Sequence, residues 1–60
     1  MKVKFIETDL NTYIELGGVM LGYFTRRYNK ELKCVFISEQ TIKFDELVQI
    51  CDKMGELNGT

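Results

Sequence analysis

Few side chains in this 60-residue sequence can do covalent chemistry: two thiols, Cys34 and Cys51, a set of carboxylates, and no histidine at all. Without imidazole the commonest general base, the commonest zinc ligand and every triad built on histidine are missing. Two cysteines 17 positions apart, with no CxxC pair, cannot complete a tetrahedral metal site or a redox motif alone. They read as reduced core thiols, Cys51 on the apolar side of a helix and Cys34 in a strand beneath it. Gly17, Gly18 and Gly22 form no phosphate cradle, because no Lys-Ser/Thr tail follows them and no helix opens there. Asp45, Gln49, Asp52 and Glu56 share a solvated helix face, where nothing desolvates a carboxylate for acid–base work. The sequence therefore predicts a chain with no enzymatic activity, no cofactor and no metal.

Two groups of residues carry binding character instead. Tyr23, Arg26, Arg27, Tyr28, Lys30 and Lys33 interleave aromatics and cations on one hairpin. Cations neutralise phosphates and aromatic faces stack on unpaired bases, so this segment suits an anionic partner, single-stranded nucleic acid or an acidic protein surface. The plainer reading is that the cations keep an exposed hairpin soluble and block edge-to-edge pairing. The second group is Ile50, Met54 and Leu57. They lie at the margin of a helical apolar arc wider than one small sheet needs, which marks them for self-association or a partner protein.

Stepping outward, the elements that must hold these residues follow from periodicity. Residues 2–7 alternate, with Val3 and Phe5 to one side and Lys2, Lys4 and Ile6 to the other, which predicts a strand. Residues 12–16 and 19–28 flank Gly17-Gly18, a two-residue hairpin signature. A rival short helix over Asp9–Leu16 has suitable spacing, but Thr12, Tyr13 and Ile14 form strands better. A turn at Asn29-Lys30 returns the chain as a strand over 32–38, and Gly22 marks a bulge or a close backbone approach. Over 43–57, Phe44, Leu47, Val48, Ile50, Cys51, Met54 and Leu57 cover roughly half a helical circumference. Asp45 and Glu46 suit the first turn and Gly59 the end. The expected fold is α+β: a three- to four-stranded antiparallel meander with one C-terminal helix on one face, docked through Leu47, Val48 and Cys51.

Composition sets the remaining bounds. A hydrophobic fraction of 45% against 28% charged residues predicts a folded chain. Sixty residues make one small domain of thin stability, for which a partner subunit is a common supplement, so a homodimer is plausible. The net charge of −1 is unevenly spread: residues 16–37 carry Arg26, Arg27, Lys30 and Lys33 against Glu31 alone, whereas 38–60 carry five acids against two lysines. No signal-peptide pattern and no membrane-length apolar run is present, and the expected location is the cytoplasm, away from any membrane. The leading expectation is a non-enzymatic protein-binding module, an adaptor, inhibitor or regulator that self-associates. Chains this short are frequent among phage and mobile-element proteins of that kind. A nucleic-acid binder using hairpin 23–33 is the alternative, and a structural subunit of a larger assembly the third option.

Overall fold

The computed structural model describes residues 2–59. Its architecture is α+β, a four-stranded antiparallel sheet in the order β1-β2-β3-β4 followed by one helix. β1 spans Lys4–Glu7, β2 Asn11–Leu16, β3 Val19–Thr25, β4 Lys33–Phe36 and α1 Phe44–Leu57.

Turn chemistry sets the meander. Gly17 and Gly18 adopt φ of 58° and 82°, the pair of positive values that the tight β2–β3 hairpin requires. The β1–β2 turn closes through Thr8: its N–H donates to the Asn11 carbonyl at 2.8 Å and its Oγ1 accepts the Asn11 N–H at 3.1 Å. With Asn11 thus drawn into the ladder, the rival helix over 9–16 gives way to a strand paired on both sides. The third turn is wider than expected, because β3 stops at Thr25 and β4 starts at Lys33. Arg26 leaves the strand and reaches across to the Lys30 carbonyl at 3.3 Å. Lys30 takes φ of 61°, and Asn29 Oδ1 accepts the Glu31 N–H at 3.3 Å.

Register assigns the faces. Phe5, Ile14, Gly22 and Phe36 lie side by side across the four strands, as do Glu7, Thr12, Phe24 and Cys34. This is the inner face. Ile6, Tyr13, Tyr23 and Val35 form the matching row on the opposite, uncovered face. A bulge between Ile14 and Glu15 leaves Leu21 as the extra residue of β3 and turns it inward, fully buried beside Ile14. Gly22 serves both roles anticipated for it. It adjoins the bulge, and a Cβ there would overlap the Val35 carbonyl oxygen and stand 3.0 Å from Phe36 Cα.

The core joins Val3, Ile14, Leu21, Phe24 and Ile50, with Phe5 stacked near Phe24 at a centroid distance of 6.5 Å. α1 begins with Asp45 and Glu46 in its first turn and ends at Asn58, after which Gly59 takes φ of 83°. That is the left-handed residue a helix end favours.

Candidate interaction surface

The side of α1 that meets the sheet differs from the expected one. Ile50 is only 1% exposed and belongs to the core, with Met54 and Leu57 packed against it. These three were expected at a partner surface; they are the docking seam. Leu47 and Val48, expected beneath the helix, are 42% and 40% exposed, and Cys51 is exposed too. The helix is rolled by roughly a quarter turn, given 100° per residue.

Polar tethers explain the roll. The Glu46 carboxylate accepts the Lys43 N–H at 3.1 Å, closing the first turn and turning this acid inward to 4% exposure. Lysine has no acceptor, so only the glutamate half of a capping box forms. Lys53 makes an ion pair with Glu7 of β1 at 3.0 Å, with its Nζ 5.7 Å from the Phe5 ring centroid. The hydrogen bond to Glu7 holds the Lys53 ammonium above the usual lysine range. At the far end, Arg26 donates to the Leu57 carbonyl and lies 3.5 Å from Asn58 Oδ1. The last turn has no basic residue of its own, so a cation from the β3–β4 loop meets the negative helix end. An apolar arc of half the circumference can dock by either half, and the contacts of Lys53 with Glu7 and of Arg26 with the helix end select the Ile50 half.

The rejected half forms a surface. At 100° per residue Phe44, Leu47, Val48 and Cys51 share one side of α1, and Cys51 lies nearly opposite Lys53. Lys53 reaches toward β1, so the Cys51 side is turned toward β4. The thiols agree: burial pushes the Cys34 thiol up, and Cys51 beside it pushes further in the same direction. A helix about 10 Å wide spans about two strands spaced ~4.8 Å, so it cannot cover the whole sheet. Phe36, on the inner face of β4, is accordingly 49% exposed, and Phe44 at the start of α1 is 80% exposed. Phe36, Phe44, Leu47 and Val48 thus leave apolar surface uncovered on the β4 side of the molecule, called the trough below.

The residues of the basic hairpin are distributed over three places. Arg26 is committed to the helix end. Arg27, Tyr28 and Lys30 stand exposed in the loop. Tyr23 and Lys33 belong to the uncovered sheet face, where Tyr23 packs on Tyr13 at a centroid distance of 5.7 Å. The tyrosine pair was missed because Tyr13 was read only as a strand former; its register opposite Tyr23 follows from the Gly17-Gly18 turn and the bulge together.

Between the 8–11 turn and the helix end lies a cleft of about 240 Å³, bounded by Thr12, Phe24, Arg26, Leu32 and Leu57. Among the described residues no cluster of three metal-ligating side chains occurs, and no helix is long and apolar enough to cross a membrane. Comparison with protein-family models, curated proteins and solved structures finds no match to this chain.

Proposed function

We propose that the chain is a non-enzymatic protein-binding module that docks through the trough formed by Phe36, Phe44, Leu47 and Val48. The observation that carries this reading is Phe44. It is a large aromatic 80% exposed at the start of a helix, beside three other apolar residues on the same helical side. Together these side chains leave roughly 400 Å² uncovered, the scale at which an apolar patch marks an interaction site. That is about a tenth of the chain's 4581 Å² surface, the share a small protein commits to a specific interface. Asp52 and Glu56 lie with Gln49 and Lys53 beside Phe5 of β1, away from the Cys51 side of the helix. An adaptor, inhibitor or regulator acting in the cytoplasm fits this surface.

The test is a photo-crosslinking residue placed at position 44 and, as a control, at position 52, with the chain expressed in its native cell. Protein adducts at 44 that vanish with Leu47→Asp, and none at 52, fit the reading. No adduct at 44 overturns it.

A second reading rests on the Tyr13–Tyr23 pair, two aromatics on the central strands of an uncovered sheet face with Lys4 and Lys33 in flanking rows. Such a platform suits stacking of unpaired bases. It predicts single-strand binding that weakens with salt and is lost in a Tyr23→Ala, Lys33→Glu variant. No binding at low salt removes it.

A further inference from the structure

The trough borders a sheet edge, and that edge identifies what covers it. The Ile37 N–H donates to the Leu21 carbonyl at 2.8 Å. Antiparallel pairing alternates, so Lys33, Val35 and Ile37 direct their backbone groups to β3, while Cys34 and Phe36 direct theirs outward. The outward residues are also the ones whose side chains line the inner face beside α1.

The two edges of the sheet differ in protection. β1 carries Lys4 and Glu7, with Lys2 before it, and Glu7 is held by Lys53. β4 continues from Lys33 into Cys-Val-Phe-Ile with no charge until Glu39. Charged residues are the ordinary device that blunts an edge, and an edge without them is a template for another strand.

We infer that the occupant is a second copy of this chain, paired β4 to β4 about a two-fold axis to give a continuous eight-stranded sheet. The inference rests on the trough being an interface, as proposed above. An antiparallel strand is complementary to its own copy, so the outward N–H and C=O groups of Cys34 and Phe36 are satisfied reciprocally. The same operation sets both helices on one face of the joined sheet, with the two troughs meeting over the junction. Phe36 and Phe44 of both copies then fill the space between the helices. Roughly 400 Å² of side chain from each copy, with the paired β4 backbones added, approaches the ~1,000 Å² of a specific interface. Asp52 and Glu56 remain on the outer flanks, and a net charge of −1 per copy opposes association little.

The test uses the full chain, prepared by synthesis in two forms, unmodified and with the Phe36 amide nitrogen methylated. Methylation removes one outward donor and leaves every side chain in place. Sedimentation equilibrium from micromolar to millimolar concentration gives the mass, and amide hydrogen exchange reports the edge. Expected are a doubled mass for the unmodified chain, exchange at Cys34 and Phe36 slowed about tenfold or more on concentration, and a monomeric methylated chain with unchanged circular dichroism. A doubled mass with fast exchange at Cys34 and Phe36, and dimerisation of the methylated chain, overturns the strand pairing but leaves the trough an interface. A monomer at millimolar concentration overturns the second copy as occupant, while the crosslinking experiment still decides whether a foreign protein docks there.

Discussion

Ile50→Ala probes the docked side of α1 most sharply. The substitution removes three carbons from a side chain only 1% exposed and surrounded by Ile14, Leu21 and Phe24. At ~0.8 kcal/mol per buried methylene the transfer loss is about 2.4 kcal/mol. A residual cavity of about 60 Å³, at ~24 cal/mol per Å³, adds about 1.5 kcal/mol, for a cost near 4 kcal/mol. A chain of 60 residues has roughly 3–9 kcal/mol of stability, so this variant stands near the limit of folding. Ile50→Val, expected to cost about 1 kcal/mol, keeps the measurement in range. Leu47→Ala removes as many carbons from a side chain 42% exposed, and is expected to cost about 1 kcal/mol or less in the monomer. Urea unfolding followed by far-ultraviolet circular dichroism gives the midpoints. With a slope near 1 kcal/mol/M, Ile50→Val moves the midpoint by about 1 M. Running the series at two protein concentrations separates the sites: the Ile50 cost is constant, and the Leu47 cost grows with association. If Leu47→Ala costs as much as Ile50→Ala in dilute solution, the reasoning about the roll of the helix fails.

Gly22→Ala places a methyl group against the Val35 carbonyl oxygen, so β3 and β4 must part; a loss of at least 2 kcal/mol in the same unfolding assay is expected, and a neutral result contradicts the close approach. Cys51 is exposed while Cys34 is half-buried with its thiol pushed up by burial, so iodoacetamide at pH 8 alkylates Cys51 first; equal rates at both, read by peptide mass spectrometry, contradict that difference. Lys53 has a raised pKa in the folded chain, so its stabilisation is complete below the unfolded value of 10.5 and is lost as pH rises through the higher folded one. The stability difference between the parent and Lys53→Met is thus flat through neutral pH and shrinks above 10.5; a difference that closes between neutral pH and 10.5 contradicts the ion pair with Glu7.

Local chemistry made much of the fold legible. The alternation of Val3, Phe5 and Ile6, the Gly17-Gly18 hairpin and the terminating Gly59 each encode their conformation within a few residues. The roll of the helix was not legible, because hydrophobic periodicity locates an arc and says nothing about which half of a wide arc docks. That choice rests on Glu7 with Lys53 and on Arg26 with Leu57, pairs distant in sequence. One local signal was usable: Glu46 stands three residues after Lys43, the residue that caps the helix start, and from that position a carboxylate turns back onto the capping N–H. The candidate surface residues shifted for the same reason. Ile50, Met54 and Leu57 moved inward, Phe44, Leu47 and Val48 outward, and Arg26 from a partner surface to the helix end.

The side of α1 that faces the sheet is tested most directly by methyl nuclear Overhauser effects in a dilute, carbon-13-labelled sample. Contacts from the Ile50 methyls to Ile14, Leu21 and Phe24, with none from Val48 to those residues, are the predicted result. Val48 or Leu47 methyls in contact with Ile14 and Phe24, and Ile50 open to solvent, would contradict the account.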